Sequence, residues 1–450
     1  MLSHLTLENF KAFKQLDIEL GPVTVLFGPN SAGKSTIQQF ILMLKQTKES
    51  ADRGQTLALD GPYVNLGTFS DVLHNHDETQ PLSWCLSWSY WDDISVVDPD
   101  KASTKPLAKG TDISLSSKIE SIRHVPMARE LAYSLDGCTF RLKPTGTHGS
   151  DFELVAEGAD DFRFKRTLGR KWKLPGPVKS YAFPDQARTY YQNAGFLTDF
   201  EYAFENQFNY VYYLGPLRVH PRRDYPWSRS RPADVGEKGE RTIEAILAAT
   251  LNDEKRNLKY RGKLMPFQAI IAHWLHEMGL VDSFRVEEIA EGANYWVVKL
   301  TTAEGAPEVS LTDVGFGISQ VLPVIVLLYY VSEGSTVLIE QPELHLHPRA
   351  QGVLADLILS VAQRRNVQVI VETHSEHFLL RLQRRIAEGT AKADETRLYF
   401  VSTRKGSSKA ELLRLNDFGE IENWPESFFG DAFGETAAAE EARLTRMAQS

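Results

Sequence analysis

One eight-residue segment constrains the fold of this chain more than any other: Gly28-Pro29-Asn30-Ser31-Ala32-Gly33-Lys34-Ser35. It fits the pattern GxxxxGK[ST], in which glycines let backbone amides wrap around a phosphate group, the lysine neutralises phosphate oxygens, and the final hydroxyl is a ligand for Mg²⁺. Such a loop also opens a helix, whose N-terminus carries a partial positive charge. The segment predicts a binding site for a nucleoside triphosphate.

The residues on either side of this phosphate loop have the patterns that the prediction requires. Val23, Val25 and Phe27 alternate with their neighbours, which indicates a half-buried strand before the loop. The helical spacing after the loop involves Ile37, Phe40, Ile41 and Leu44. Strand, glycine loop and helix in this order favour a phosphate site over a glycine-rich turn. The residues that we predict to contact nucleotide are Asn30, Ser31, Ala32, Gly33, Lys34, Ser35 and Thr36.

Composition limits the protein class only broadly. The chain has 450 residues, 42% hydrophobic and 24% charged, which suits two or three packed domains. Two cysteines, Cys85 and Cys138, fit a reducing compartment, so we expect a cytoplasmic protein. The N-terminus lacks the apolar segment of a secretion signal, and the longest apolar run, 321–331, is too short to span a membrane. We therefore expect no membrane partner and a core helix at this run.

The charge distribution leaves nucleic-acid binding open. A net charge of −9 argues against a protein coated in basic charge, but it does not exclude a local basic patch. One basic cluster contains Arg218, Arg222 and Arg223, with Tyr225 and Trp227 close by. Basic residues mixed with aromatic ones grip a phosphate backbone and stack on bases. The alternative for this cluster is a solvated surface or an internal network of ion pairs.

Patterning along the chain predicts five segments. They are the N-terminal part of a nucleotide-binding head (1–70), a β-rich insertion (71–215), a linker with a helical segment (216–306), the C-terminal part of the head (307–430) and an exposed tail (431–450). Within the insertion, Asp136-Gly137 separates two alternating runs and predicts a β-hairpin.

Two apolar strands late in the chain end in residues that suit the same nucleotide site. Val337-Leu338-Ile339 leads to Glu340, and a carboxylate at the carboxyl end of a parallel strand would hold Mg²⁺ opposite the Ser35 hydroxyl. The alternative is a buried strand with a capping acid. A second strand, 367–371, leads to Glu372 and His374, so that His374 would reach a γ-phosphate.

Histidines and acids near these strand ends allow another interpretation, a metal centre. The group comprises His345, His347, His374, His377, Glu343 and Glu372. The HxH spacing puts two imidazoles on one strand face, and similar clusters bind zinc. We favour the nucleotide site because the neighbouring strand ends already have a nucleotide role.

A glycine- and serine-containing turn, 311–320, precedes a long apolar helix. A turn of this kind that opens a helix is an anion site, for which Gly315, Gly317 and Ser319 are the candidate residues. Its place just before the Glu340 strand matches the order of an ABC-type ATPase: phosphate loop, insertion, signature, Walker B acid and switch histidine.

These motifs together resemble the non-transporter ABC ATPases of the SMC/RecF/OLD superfamily, and above all compact OLD-like bacterial ATPases that lack a Toprim nuclease domain. The segments that carry the resemblance are LENFKAFK, GPNSAGKST, YYLGPLR, DVGFGISQVLP, VLIEQPELHLHP, VETHSEHFLLRL and NWPESFFGD (Asn423–Asp431). The resemblance implies an α/β fold, a P-loop NTPase head of the ABC type with a β-rich insertion and a helical segment. It also implies two heads that sandwich two ATP molecules, each site combining the phosphate loop of one subunit with the signature segment of the other.

Two departures from the family pattern affect the expected activity. ABC enzymes commonly follow the Walker B acid with a glutamate that polarises the attacking water, whereas this chain has Gln341 there. We assign catalysis to Glu343, Gln341 and His374, and expect slow hydrolysis because general-base assistance is worth roughly 10²–10⁴-fold. About fifty residues follow Phe400, too few for a Toprim domain, so we expect no nuclease within this chain.

The resemblance implies a dimeric ATP-dependent switch that uses Mg²⁺ and controls a separate effector protein in bacterial anti-phage defence. The alternative is a RecF- or SMC-like ATPase that acts directly on DNA in repair or recombination, through Arg218, Arg222 and Arg223. A true SMC rod is excluded because no long heptad arm is present. A transporter subunit is disfavoured because the signature is not LSGGQ-like, and a GTPase because no NKxD motif occurs.

Overall fold

The computed structural model describes residues 1–98, 106–146, 150–159, 162–169, 172–258, 262–425 and 432–448, so residues 426–431 of the tail motif lie outside the described part. The helices are α1 (Lys34–Glu49), α2 (Phe69–Val72), α3 (Asp185–Tyr190), α4 (Leu197–Asn209), α5 (Thr242–Leu251), α6 (Phe267–Glu277), α7 (Phe316–Tyr330), α8 (Pro348–Arg365), α9 (Glu376–Ala387) and α10 (Ala432–Ala448). The strands are β1 (Leu2–Phe10), β2 (Phe13–Glu19), β3 (Val23–Phe27), β4 (Leu82–Val96), β5 (Ala108–Ile122), β6 (Val125–Leu135), β7 (Cys138–Pro144), β8 (Phe152–Glu157), β9 (Val211–Leu214), β10 (Tyr225–Pro226), β11 (Lys255–Asn257), β12 (Leu264–Pro266), β13 (Ser283–Glu288), β14 (Tyr295–Thr301), β15 (Val309–Ser310), β16 (Thr336–Glu340), β17 (Gln368–Glu372), β18 (Thr396–Arg404) and β19 (Ser407–Leu413).

A six-stranded sheet carries the phosphate loop. Its order is β19-β18-β3-β17-β16-β9, and all neighbours run parallel except the edge pair β18–β19. The carboxyl ends of β3, β16 and β17 therefore meet at one edge of the sheet. This parallel sheet with helices between its strands confirms the predicted α/β class.

The loop strand β3 is buried at every residue, so the expectation of a half-buried strand was wrong. Its side chains alternate between two apolar cores on opposite faces of the sheet: Leu26 belongs to one, and Val25 and Phe27 belong to the other. A central parallel strand covered on both faces has no exposed side.

The second large sheet joins the β-rich segment to the N-terminus. Seven antiparallel strands follow the order β2-β1-β4-β5-β6-β7-β8, and β4 pairs with β1 through Leu5 opposite Leu86 and Leu7 opposite Trp84. The predicted hairpin is present, since Asp136 and Gly137 have positive φ angles of 50° and 76° between β6 and β7. The segment 71–215 thus continues a sheet that the first residues begin, and its last strand, β9, belongs to the central sheet.

Helices α5, α6, α7 and α8 share the second core, together with the small sheet of β10, β14, β13 and β15. Helix α7 contains most of the predicted apolar core helix, and all its residues from Ile318 to Tyr330 are buried. Among the described residues, no helix combines the length and apolar character needed to cross a bilayer.

Candidate nucleotide site

The phosphate loop lies between β3 and α1 and depends on two glycines. Gly28 and Gly33 have φ angles of +144° and +97°, which L-amino acids with side chains rarely adopt. A Cβ on Gly28 would lie 2.1 Å from the Val401 carbonyl oxygen, and one on Gly33 would lie 2.9 Å from the Ala12 Cβ. No side chain in the described part of the protein caps the N-terminus of α1, so its first amides are available to an anion. The loop therefore forms a cradle of backbone N–H groups.

Lys34 is held inside this loop. Its Nζ donates hydrogen bonds to the carbonyl oxygens of Gly28, at 3.0 Å, and of Pro29, at 2.9 Å. The same Nζ lies 3.7 Å from Glu372 Oε1, and only 3% of the Lys34 side chain is exposed. Burial lowers the pKa of Lys34, while the charge of Glu372 opposes that shift. An ammonium group has three donors, so the one not used by the two carbonyls is available to Glu372 or to an anionic group in the cradle.

Two acids end neighbouring strands beside the loop. Glu340 and Glu372 are opposite each other in the parallel register of β16 and β17. The Ser35 hydroxyl donates to Glu372 Oε2 at 2.7 Å, and the Tyr213 hydroxyl donates to Glu340 Oε1 at 2.8 Å. Burial raises the pKa of Glu340 to about 7, with a smaller contribution from the nearby Glu372 charge. Three oxygen-bearing side chains, of Ser35, Glu340 and Glu372, thus lie at this edge of the sheet.

Glu372 has a place in the site that the sequence analysis did not identify, since it appears there only within the disfavoured zinc alternative. Its carboxylate contacts the two loop residues whose roles the motif defines. The available signal was its place at the end of a second apolar strand, the same position that Glu340 has on its own strand.

The predicted catalytic residues lie just beyond these acids. The Gln341 N–H donates to the Glu372 carbonyl oxygen at 2.8 Å, and Gln341 has a positive φ of 43°. Glu343 is buried, and its Oε1 accepts a hydrogen bond of 2.7 Å from the His374 backbone N–H. Burial raises the pKa of Glu343, whereas desolvation and the charge of Lys34 lower that of His374. Gln341, Glu343 and His374 are therefore joined to the strand ends through backbone contacts.

Arg218 lies inside the site, which corrects its predicted role as a surface contact for nucleic acid. Only 7% of the residue is exposed, and its Nη2 donates to the Glu340 carbonyl oxygen at 3.2 Å. Burial lowers the pKa of Arg218 to about 10, against the opposing effect of the Glu343 charge. Its Nε and Nη1 are buried without a hydrogen-bond partner in the described part of the chain. A guanidinium group with two unpaired nitrogens is suited to an anion.

The other two arginines of the basic cluster remain on the surface. Arg222 and Arg223 are exposed, and Arg223 forms a two-nitrogen ion pair with Asp313, with its shorter contact at 2.9 Å. This pair connects the loop after β9 to the segment that precedes α7.

The predicted signature residues are at the start of α7. Gly315 is its N-cap residue and is exposed, and a Cβ on Gly315 would meet no described atom within 4 Å. At Gly317, a Cβ would lie 2.9 Å from the His345 carbonyl oxygen. The Ser319 hydroxyl is buried and donates to the Phe316 carbonyl oxygen at 2.8 Å. The segment therefore packs on the loop after Glu340, and it presents Gly315 to solvent.

The zinc alternative finds no support in the arrangement of the described residues. Nowhere among them do three or more His, Cys, Asp or Glu side chains converge closely enough to hold a metal ion. His345, His347 and His377 are exposed. The acids of the predicted zinc group instead contact the phosphate loop and the His374 backbone.

Two family models match this chain. One, AAA_15, described as an AAA ATPase domain, matches residues 1–143 and 239–379, which together exceed half of the chain. The other, DUF3696, described as a protein of unknown function, matches residues 392–438. The first match includes the phosphate loop, both acid-ended strands and the segment before α7.

The chain is also similar in sequence to individual proteins. An OLD nuclease from Thermus scotoductus is 24% identical over 405 residues, which cover 84% of this chain and 60% of that protein. A DNA replication and repair protein RecF from Lactobacillus acidophilus is 38% identical over 69 residues, 14% of this chain and 18% of that one. The chain thus spans less than two thirds of the length of the curated relatives that it matches.

A solved structure of an Smc head domain with an extended coiled coil, bound to the C-terminal domain of ScpA derived from Pyrococcus furiosus, is also similar. It covers 98% of this chain and 99% of its own, with 12% identity and a TM-score of 0.46. Since that score is too low to establish a shared fold, the fold assignment rests on the sheet order described above. The family match, which extends over most of the head and contains its phosphate loop, shows that the chain belongs to the AAA ATPase domain family, as an ATPase of the SMC/RecF/OLD type.

Proposed function

We propose that this chain is a dimeric molecular switch that binds ATP with Mg²⁺, hydrolyses it slowly and controls a separate effector protein in bacterial anti-phage defence. The observation that carries the proposal is the site around Lys34 and Ser35, beside which the carboxylates of Glu340 and Glu372 could bind a metal ion. The position after Glu340, where ABC enzymes usually have the catalytic glutamate, holds Gln341. Such a site favours nucleotide binding over rapid turnover.

The geometry fits a bound Mg²⁺–ATP. Backbone amides of residues 30–36 would surround the phosphates, and Lys34 would neutralise their oxygens. Ser35 and Glu340 would hold the metal, which would neutralise phosphate charge. The unpaired nitrogens of buried Arg218 support the presence of an anion at this edge of the sheet. The positive φ angles of Gly28 and Gly33, which shape the loop that this pattern of residues forms around a phosphate, are consistent with the same conclusion.

Slow hydrolysis follows from the groups that could accept a proton. The Gln341 amide is not a base, and Glu343 is the nearest substitute. Glu343 already accepts the His374 N–H, and burial favours its neutral form. A well-placed general base accelerates such a reaction roughly 10²–10⁴-fold. Because Glu343 is a poor base here, hydrolysis should be slow and ATP should stay bound for long periods. His374, with its lowered pKa, would act near the γ-phosphate as a neutral hydrogen-bonding group.

Dimerisation completes each site in this proposal. Among the described residues no side chain caps α7 at its N-cap residue Gly315, and the neighbours of its first turn include His220, His345 and Leu346. An exposed and uncapped start of a fifteen-residue helix suits the phosphates of a nucleotide held by a second copy. We therefore assign Gly315, Gly317 and Ser319 to the ATP bound by the partner copy.

Substitution of Lys34 tests the proposal. Lys34→Ala should weaken ATP binding by on the order of 10- to 100-fold, because a charged hydrogen bond is worth about 1.5–3 kcal/mol. The same variant should lose protection against phage in cells. Lys48→Ala, at the other end of α1, is the matched control and should keep both properties. ATP affinity retained in Lys34→Ala would overturn the nucleotide site, and phage protection retained without ATP binding would overturn the switch.

A second candidate function is direct action on DNA in repair or recombination. The local similarity to RecF and the exposure of Arg222 are the observations that favour it. Arg222→Ala/Arg223→Ala should then weaken DNA binding and flatten its salt dependence, since each phosphate contact contributes to the slope. No DNA binding by the unaltered protein at low salt would exclude this function.

A further inference from the structure

Glu372 occupies a position that the phosphate-loop motif does not specify. It ends β17, which lies between the loop strand β3 and the Glu340 strand β16. The Thr373 N–H donates to the Leu26 carbonyl oxygen at 3.2 Å, so the segment after β17 is fastened to the strand that leads into the loop. As a result, the Glu372 carboxylate, 4% exposed as a residue, faces the first turn of α1 rather than solvent.

The contacts of this carboxylate involve both functional side chains of the loop. Oε2 accepts the Ser35 hydroxyl at 2.7 Å, and Oε1 lies 3.7 Å from Lys34 Nζ. Glu372 therefore accepts the hydroxyl that the motif assigns to the metal and forms an ion pair with the ammonium that the motif assigns to phosphate. These are the places where metal and phosphate oxygens would otherwise be.

The distances also suit a magnesium ion. Mg²⁺ prefers six oxygen ligands at 2.0–2.1 Å, so adjacent ligands of its octahedron lie about 2.9 Å apart. The 2.7 Å between Ser35 Oγ and Glu372 Oε2 is close to this separation. Glu340, opposite Glu372 in register, places a second carboxylate at the same edge. Two neighbouring acids in a buried site repel each other unless a cation lies between them.

We propose that Glu372 is a second carboxylate ligand of the Mg²⁺ that accompanies ATP, and that it makes nucleotide binding depend on the metal. This inference rests on the proposed ATP site and specifies its chemistry. Without a metal, ATP brings its negative phosphates against Glu372 and must also detach Lys34 and Ser35 from it. With Mg²⁺, the Glu372 carboxylate would coordinate the metal ion and would no longer compete with the phosphates for Lys34 and Ser35.

A purely structural role for Glu372 predicts a different behaviour. If the carboxylate only held Lys34 and Ser35 in position, its loss would weaken ATP binding by the same factor with and without metal. The ratio of the two affinities therefore separates the two roles, and it does so independently of hydrolysis.

The experiment is isothermal titration calorimetry with ATPγS, a slowly hydrolysed analogue, in excess Mg²⁺ and in EDTA. In the unaltered protein we expect ATPγS affinity to be on the order of 100-fold tighter with Mg²⁺, near the upper end of the usual coupling between two ligands. In Glu372→Gln this ratio should fall by about tenfold or more, mainly through tighter binding in EDTA, because the repelling charge is gone. Glu376→Gln, an exposed acid four positions later, should leave the ratio unchanged.

A ratio in Glu372→Gln equal to that of the unaltered protein would overturn the inference while leaving the ATP site intact. Failure of the unaltered protein to bind ATPγS in Mg²⁺ would overturn the proposed function itself, and the inference with it. If Glu372→Gln does not fold, as judged by its melting curve, Glu372→Asp provides the test. That variant keeps the charge but withdraws it from Ser35, so the Mg²⁺ dependence should fall in the same direction by a smaller factor, and an unchanged ratio would count against the inference.

Discussion

At the scale of single residues, the proposed slow turnover depends on where the carboxylates of this site lie. Glu340 and Glu372 lie at the proposed metal position, and Glu343 Oε1 accepts the His374 backbone N–H. Gln341 directly follows Glu340, the proposed Walker B acid, and its side-chain amide cannot accept a proton from the attacking water. In the proposed mechanism two acids serve the metal, and only Glu343, two residues beyond the usual catalytic position, is left to assist the attacking water.

Restoring an acid at the usual catalytic position should raise the rate. In Gln341→Glu we expect ATP hydrolysis to increase at least about tenfold, within the roughly 10²–10⁴-fold range of general-base assistance, while ATP affinity changes little. Single-turnover release of phosphate measures the chemical step. Leu344→Gln, on the same loop, is the control. An unchanged rate in Gln341→Glu would mean that another group already serves as the base.

Glu201 provides a pH-dependent test of the packing beneath the β-rich sheet. Burial raises the pKa of Glu201 from 4.5 to about 7, although it accepts the Phe183 N–H. Between these values the folded protein holds a proton that the unfolded chain has released, so this residue makes the free energy of unfolding fall as pH rises. Glu201→Gln should remove that contribution and stabilise the protein more at about pH 8 than at about pH 5.

Urea denaturation at the two pH values measures this effect. The exposed Glu304→Gln serves as the control and should shift both curves alike. Equal stabilisation by Glu201→Gln at both pH values would show that Glu201 is charged in the folded protein.

At the scale of elements, the β-rich segment and the phosphate-loop helix share a core. Trp84 of β4 is 3% exposed and packs edge-on against Phe40 of α1, with ring centroids 5.6 Å apart. Trp91, on the same strand, is 54% exposed. Because β4 also pairs with β1, the head and this segment should unfold as one unit.

Trp84→Ala tests this coupling. It should lower the free energy of unfolding by about 3–5 kcal/mol, as for other buried aromatic residues. Trp91→Ala should cost less than about 1 kcal/mol. Urea denaturation followed by circular dichroism should give a single transition for each variant. Two transitions, of which Trp84→Ala shifts only one, would show that the segment 71–215 folds separately.

Sequence patterns predicted which helices and strands form better than they predicted which of these elements lie next to one another. The strand, loop and helix around Lys34 are adjacent in the chain, so local spacing was enough to identify them. The contact between Ser35 and Glu372 joins positions 337 residues apart and depends on β17 lying beside β3, which no local pattern encodes. Arg218 shows the same limit, since a basic cluster has the same sequence pattern whether its members are exposed or buried.

At the scale of the whole molecule, the proposed site is complete only when two copies meet. One copy supplies Lys34, Ser35, Glu340 and Glu372, and the other supplies the start of α7. Hydrolysis that is slow relative to closure would keep such a pair together, which gives an effector time to respond. The exposed Gly315 is the point at which this arrangement can be examined.

Crosslinking between two copies tests the central claim most directly. In a Cys85→Ser/Cys138→Ala background, one tagged copy carries Ser31→Cys and a differently tagged copy carries Gly315→Cys; both positions are exposed. With a bismaleimide, we predict a mixed two-chain product that forms with ATP and Mg²⁺ and disappears when the Ser31→Cys copy also carries Lys34→Ala. A mixed product that is absent with ATP, or equally abundant without it, would contradict an ATP-closed dimer.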